Sequence, residues 1–199
     1  MSDLKLPLPS EDAAWVRVIT PLSVETLREF CRDLERLYRI NPMLEFESFR
    51  QTAPDYYYLR ANNISNGQEI ATELQVEETD DGFKITYSEG IKSTTFIRIE
   101  KDTQGANLII IDDYSGLPMT ERSERLAEVD RSLEQWGQAL YRHLHNWQRW
   151  FWFPPYRWYI RRVWQPMKPS ARRITYMLIV ITLFELVAFL VMMGLWVLW

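Results

Sequence analysis

Cysteine and histidine are scarce in this chain of 199 residues, which contains one Cys and two His. A single Cys31 excludes an internal disulfide, and it lies beside the apolar stripe of the first predicted helix with no His or Lys nearby to activate it. His143 and His145 are two residues apart on a predicted helix, so they face different directions and cannot chelate one ion. We therefore predict that Cys31 packs in the core, and we expect no metal site and no cofactor.

Acidic residues are absent from residues 135–173, where eight basic residues occur. Before that segment the balance is reversed, with 15 basic against 26 acidic residues. A body that binds nucleic acid would need a basic face, so we expect no nucleic acid partner. The basic segment instead suits the anionic headgroups of a lipid bilayer.

A signal peptide is also lacking, because residues 1–15 have neither a basic start nor an apolar run, and we expect that the body is not exported. One long apolar run does occur from Tyr176 onward, with Glu185 as its only ionisable side chain. About 20 apolar residues cross a hydrocarbon core of about 30 Å. The run therefore predicts a transmembrane helix over residues 174–199. A buried core helix is the weaker alternative, since it would have to be apolar on all faces.

The charges next to this helix predict its orientation. Arg172 and Arg173 flank its N-terminal end, and no basic residue follows it. Positive charge beside a membrane span is retained on the cytoplasmic side. We therefore expect a tail-anchored, single-pass protein of the cytoplasmic (inner) membrane, with the N-terminal domain in the cytoplasm.

Glu185 lies near the middle of the predicted span, where an ionised acid costs several kcal/mol. It is therefore either protonated or paired. One interpretation is a neutral Glu that a long span tolerates. The other is that Glu185 faces a partner helix, from a second copy or another membrane subunit, with Thr182 and Ala188 allowing close approach.

Between the body and the span, residues 151–173 interleave aromatic rings with Arg and contain four prolines. Aromatic and Arg residues can stack on single-stranded nucleic acid, but next to a span they are typical of a membrane interface. We call this segment the stem and predict that it is bent and lies on the membrane surface. The predicted interface residues are Trp150, Trp152, Tyr156, Arg157, Trp158, Arg161, Arg162, Trp164, Arg172 and Arg173.

The body starts with a β-branched run at residues 15–20 and one amphipathic helix that begins after Ser23 and ends before Pro42. Six strand-like segments with turn signals between them follow, and residues 83–88 alternate apolar and polar side chains. Such a series predicts an antiparallel meander with one apolar face. A long helix, with an apolar stripe from Leu126 to Trp147, ends the body and covers that face.

This element order resembles the START-like (SRPBCC, helix-grip) superfamily over residues 13–150. The local features of the resemblance are the segments SVETLREFCRDLERLYRINP and SLEQWGQALYRHLHNW. It implies an α+β fold in which a curved, seven-stranded antiparallel sheet wraps a long C-terminal helix. A lipocalin-like barrel is the weaker alternative, because it does not need the early helix. The full prediction is a tail at 1–12, the START-like domain at 13–150, the stem at 151–173 and the span at 174–199.

The resemblance implies a cavity between the sheet and the last helix, suited to a lipid, isoprenoid or quinone. The alternative is that the same side chains close on one another as an ordinary core. The candidate lining residues are Phe46, Tyr57, Leu59, Leu74, Phe83, Ile85, Tyr87, Ile109, Trp136 and Leu140.

Catalysis has little support in the sequence. Asp112 and Asp113 form an acid pair at the end of a strand, where solvated turn residues are more common than general acids or bases. We therefore predict a non-enzymatic protein that binds or presents an apolar ligand at the membrane. One alternative is an accessory subunit or assembly factor of a membrane complex that docks through the span and stem. The other is an enzyme of the polyketide cyclase or aromatase type.

Overall fold

Seven antiparallel strands and a long helix form the body. A computed structural model describes residues 13–65, 67–115 and 119–197, with the backbone alone for 119–131 and 197. The predicted tail 1–12, the last two residues of the predicted span, and the side chains of Leu126 and Val129 lie outside the described residues. The elements are β1 (Ala13–Thr20), α1 (Val24–Arg32), α2 (Leu34–Arg39), β2 (Leu44–Ala53), β3 (Tyr56–Asn63), β4 (Gln68–Thr79), β5 (Gly82–Tyr87), β6 (Thr94–Asp102), β7 (Gly105–Asp113), α3 (Met119–Trp150), α4 (Pro154–Tyr159), a π-helical turn (Ile160–Trp164) and α5 (Pro169–Val197).

The sheet has the strand order β1-β7-β6-β5-β4-β3-β2, so strands that follow one another from β2 to β7 are neighbours and β1 joins β7. Every neighbouring pair is antiparallel. The long helix α3 packs against β1. The predicted α+β helix-grip fold, with seven antiparallel strands and a long C-terminal helix, is confirmed.

The early helix is divided in two, where the sequence predicts one. Ser23 caps α1 as expected, accepting a hydrogen bond from the Thr26 backbone N–H at 3.2 Å. Asp33 then leaves the helical conformation, with φ −81° and ψ 79°, and its carboxylate accepts from the Arg36 backbone N–H at 3.0 Å. Its side chain caps α2 and so competes with continuation of α1.

Along a regular strand, side chains alternate between the inner face of the sheet and its outer face. On β1, Val16 faces α3 while Trp15 is 57% exposed on the outer face. A Cβ atom placed on Gly137 of α3 would lie only 2.5 Å from Cγ2 of Val16. Glycine at this position therefore allows the helix to lie directly on the strand. Trp136, beside it, is 2% exposed, and its Nε1 donates to the Leu37 carbonyl at 3.3 Å.

An irregularity in β2 changes which of its side chains face inward. The pairing of β2 with β3 shifts register between Phe46 and Ser48. Phe46 pairs with Ala61 and Phe49 pairs with Leu59, so both Phe side chains lie on the inner face although they are three residues apart. Their ring centroids are 6.3 Å apart.

Candidate functional site

A cavity of about 510 Å³ lies between the inner face of the sheet and α3. Its interior includes Leu59, Leu133 and Trp136, each of which is nearly fully buried. Its rim includes the exposed residues Ser65 and Glu89. The complete lining is Tyr38, Asn41, Leu44, Leu59, Asn63, Ser65, Gln68, Glu69, Ile70, Ala71, Tyr87, Glu89, Gly90, Ile91, Lys92, Tyr114, Ser132, Leu133 and Trp136.

Three of the ten predicted lining residues, Leu59, Tyr87 and Trp136, line this cavity. Six others occupy the inner side of the body without lining it. Among these six, Phe46 and Tyr57 pack beside Phe49 at the β2–β3 end of the sheet. The remaining four are core residues, and they are Leu74, Phe83, Ile85 and Leu140.

Ile109 lies on the other side of the sheet, so its prediction as a lining residue is wrong. It pairs with Arg17 on β1 and with Arg98 on β6, and both arginines belong to the outer face. Its neighbours Leu108 and Ile110 are fully buried on the inner face. Because β7 carries apolar residues on both faces, hydrophobicity alone does not show which of them point inward.

A buried polar network borders the cavity, and Asp112 is at its centre. Asp112 is 0% exposed, which overturns the expectation of a solvated turn residue. Its carboxylate accepts from the Thr95 hydroxyl at 2.5 Å and from the Tyr114 hydroxyl at 3.3 Å, and it forms an ion pair with Lys92. Strand pairing explains why Asp112 is buried. Every second residue of β7 faces inward, and Asp112 follows Leu108 and Ile110 in this alternation.

Two further tyrosines extend the network along the cavity wall. The Tyr87 hydroxyl lies 2.9 Å from the Thr95 hydroxyl and 2.5 Å from the Tyr38 hydroxyl. Burial raises the pKa of both Tyr38 and Tyr87, so both phenols are neutral. The wall therefore offers neutral hydroxyl groups beside the Lys92 ammonium.

Lys92 supplies the positive charge of this wall. Burial opposes its charged form, but attraction to Asp112 and Tyr87 and the hydrogen bond to Asp112 outweigh that effect, and the pKa of Lys92 is raised. The ammonium also lies 6.0 Å from the centroid of the Trp136 ring. The Lys92 ammonium has more donors than its ion pair uses, so it can donate a hydrogen bond to an oxygen atom of a ligand whose remainder is apolar. The Tyr38 and Tyr87 hydroxyls donate within the network, from Tyr38 to Tyr87 and from Tyr87 to Thr95.

The stem packs against the body. The ring centroids of Trp164 and His143 are 5.6 Å apart, and the Arg172 guanidinium lies 4.1 Å from the Trp164 ring. The sequence predicts that Trp164 lies at a membrane interface. In the structure, its ring instead packs against groups of the body and the stem. Tyr156, Arg157 and Arg172 are also half-buried. The other predicted interface residues are exposed, and they are Trp150, Trp152, Trp158, Arg161, Arg162 and Arg173.

Arg172 connects three segments. It belongs to α5, which begins five residues before the predicted span. Its guanidinium donates to the Arg39 carbonyl at the end of α2, at 2.7 Å, and to the stem carbonyls of Trp164 at 3.0 Å and Gln165 at 2.9 Å. A second connection is the ion pair of Lys168 with Glu45 on β2, at 2.5 Å.

Within the described residues, one helix is long and apolar enough to span a membrane, over Pro169–Trp196. The side chains of its most apolar part are not buried against the body. Glu185 is exposed among them. In the same part of the chain, no group of three or more His, Cys, Asp or Glu side chains is placed to hold a metal ion.

No family model and no curated protein sequence matches the chain. Solved structures do match its fold. A Rhodobacter sphaeroides protein matches with a TM-score of 0.50 at 12% identity, over 69% of this chain and 95% of that one. The di-domain ARO/CYC StfQ of the steffimycin biosynthetic pathway matches with a TM-score of 0.50 at 9% identity, over 69% of this chain and 52% of that one. At such identities, the similarity shows a helix-grip fold and gives no information about activity.

Proposed function

We propose that this chain is a membrane-anchored, non-enzymatic START-like protein that binds or presents a hydrophobic ligand at the cytoplasmic face of the inner membrane. The observation that carries the proposal is the cavity of about 510 Å³, with an apolar interior and with the Lys92 ammonium and tyrosine hydroxyls grouped on one wall. Small-molecule sites have volumes of about 300–1,000 Å³ and combine apolar lining with a few polar groups. The expected ligand is a lipid, isoprenoid or quinone that carries a polar oxygen.

The membrane location is supported by α5. A helix rises about 1.5 Å per residue, so about 20 residues cross the hydrocarbon core. Residues 174–197 exceed that length, and those with described side chains, up to residue 196, are almost all exposed. An exposed apolar surface of this size is unfavourable in water and favourable in lipid. The basic residues before the helix support the cytoplasmic placement of the body.

Catalysis has less support than binding. Asp112 and Lys92 are an acid and a base beside the cavity, which is the observation in favour of a cyclase-type enzyme. They are bound to each other, however, and the raised pKa of Lys92 keeps it protonated. Lys92 therefore keeps its proton at neutral pH, and its ion pair with Asp112 occupies the carboxylate.

An accessory role in a membrane complex is the second candidate function. Its support is Glu185, an acid within an apolar helix whose side chains the body leaves uncovered. A partner helix would hydrogen-bond this group within the bilayer. This role is compatible with ligand binding, because the cavity and the helix are separate parts of the chain.

The proposal is tested by purifying the full chain in mild detergent and identifying bound molecules by mass spectrometry of an organic extract. Ile91 lines the cavity, whereas Ile64 is 47% exposed and does not. Ile91→Trp should reduce the co-purified ligand severalfold because the indole occupies cavity volume, and the matched Ile64→Trp should leave it unchanged. Absence of any stoichiometric apolar ligand in the wild type, or equal amounts in both variants, would contradict the proposal.

A further inference from the structure

A second concavity lies where the body, the stem and α5 meet. It has a volume of about 730 Å³ and is separate from the cavity described above. Its walls come from the C-terminal half of α3, from α4 and the π-helical turn, and from the first turns of α5. We call it the junction groove.

Positive charge dominates the junction groove. Arg142 of α3 and Arg172 and Arg173 of α5 line it, and none of the described residues that line it carries a carboxylate. Arg172 uses its donors on three backbone carbonyls. Among the described residues, no carboxylate forms an ion pair with Arg142 or Arg173, and both are exposed. The groove therefore contains two guanidinium groups whose charge is not neutralised.

Arg36 does not line the groove, but its positive charge acts on His143 of the groove wall. Arg36 stacks on Trp147, with its guanidinium 4.1 Å from the ring centroid, and its Nε and Nη2 have no hydrogen-bond partner in the described part of the chain. Burial, followed by repulsion from Arg161, lowers the pKa of Arg36 to about 10. An anion bound nearby would relieve this repulsion.

His143 is an unpartnered polar group in the groove wall. It is 6% exposed, and its Nε2 has no hydrogen-bond partner among the described residues. Burial and the charges of Arg36 and Arg172 lower its pKa to about 3, so the imidazole is neutral. A buried polar atom without a partner is unusual in a folded protein, and it is consistent with a ligand that completes the site.

The polarity of the groove changes along α5. Arg172 and Arg173 are followed by Tyr176, Met177 and Ile179, which line the same groove. At about 1.5 Å per residue, Arg173 and Ile179 are about 9 Å apart along the helix axis. This change from guanidinium to apolar side chains within about two turns matches the change from phosphate to acyl chain in a phospholipid.

We infer that the junction groove binds an anionic phospholipid. Its phosphate is contacted by Arg142 and Arg173, and one acyl chain follows the apolar surface from Tyr176 to Ile179. The inference rests on the membrane location given under the proposed function, and it does not depend on a ligand in the cavity between sheet and helix.

The test measures phosphatidylglycerol binding to the full chain in a neutral detergent, by native mass spectrometry over a lipid titration. Arg142→Gln with Arg173→Gln removes the two uncompensated charges. Arg149→Gln with Arg162→Gln removes two exposed charges that do not line the groove. Loss of charged hydrogen bonds should weaken phosphatidylglycerol binding about tenfold in the first variant. The second variant should change it less than about twofold, since exposed charges act weakly.

Three results would overturn the inference: equal weakening in both double variants, no weakening in either, or binding of glycerol phosphate as tight as that of phosphatidylglycerol. The last would show a site for a phosphate group without acyl chains. The co-purified cavity ligand serves as a separate readout, because Arg142→Gln with Arg173→Gln should leave it unchanged. Failure of lipid binding in the groove is thereby distinguishable from failure of ligand binding in the cavity.

Discussion

Replacement of Asp112 by Asn should destabilise the body strongly. The substitution keeps the size of the side chain and removes its charge. The carboxylate now accepts from Thr95 at 2.5 Å and from Tyr114 at 3.3 Å, and it pairs with Lys92. An amide has one acceptor oxygen and one NH₂ group, so at least one of these donors would face another donor.

The magnitude follows from the burial of the pair. Breaking a fully buried ion pair costs about 3–5 kcal/mol, because the remaining charge has no partner. Asp112 is 0% exposed on its side chain, but Lys92 is 33% exposed, so water in the cavity can partly solvate the freed ammonium. We therefore expect a loss of about 2–3 kcal/mol in the free energy of unfolding. For a protein of this size, that corresponds to a fall in Tm of about 4–12 °C.

The assay is thermal unfolding of the full chain in neutral detergent, followed by tryptophan fluorescence. Asp113→Asn is the control, because Asp113 is only half-buried and its carboxylate accepts local hydrogen bonds from the Ser115 backbone N–H and hydroxyl. The control should change stability by less than about 0.5–1 kcal/mol. Lys92→Met combined with Asp112→Leu should recover part of the loss, because no unpaired charge remains. Equal Tm values for Asp112→Asn and Asp113→Asn would refute the reasoning.

Two further predictions concern other ionisable groups. The pKa of His143 is about 3 in the folded chain and about 6.5 in the unfolded chain. Its contribution to the free energy of unfolding is therefore fully present above pH 6.5 and is lost as the pH falls. Between pH 6.5 and 4.5 the wild type should lose about 2–3 kcal/mol more than His143→Phe in parallel unfolding curves, and identical pH profiles would contradict this. Glu185→Leu should lower recovery of a cross-linked or co-purified partner, whereas Thr175→Leu should not, and unchanged recovery with Glu185→Leu would exclude a partner contact there.

The fold could be predicted because each element has a clear local signal. Alternation in β4 and β5, turn residues between strands and the long stripe of α3 all point to the same arrangement. The division between α1 and α2 could not be predicted, since Leu27, Phe30, Leu34 and Leu37 continue one helical stripe across it. At Asp33, the hydrogen bond between its carboxylate and the Arg36 backbone N–H ends α1, although the apolar periodicity continues.

The candidate site was less accessible to sequence reasoning. Alternation shows which way a side chain points but not whether space remains beside it. The sequence therefore could not distinguish Leu59, which lines the cavity, from Leu74, which is packed in the core. The inward orientation of Asp112 could have been predicted, because Asp112 follows Leu108 and Ile110 at every second position of β7. Lys92 had no such signal, since it lies outside the strands, between β5 and β6, and reaches Asp112 only in the folded chain.

The hydrogen bonds of Arg172 restrict how the body can move relative to α5. A stem with several prolines and no contacts would let the body swivel on its anchor. Here one guanidinium ties the start of α5 to the end of α2 and to the stem, and Lys168 adds a link to β2. The angle between the body and α5 is thereby set. Under the proposed function, a ligand that leaves the cavity would meet the bilayer surface in one orientation, and its transfer would be a directed step.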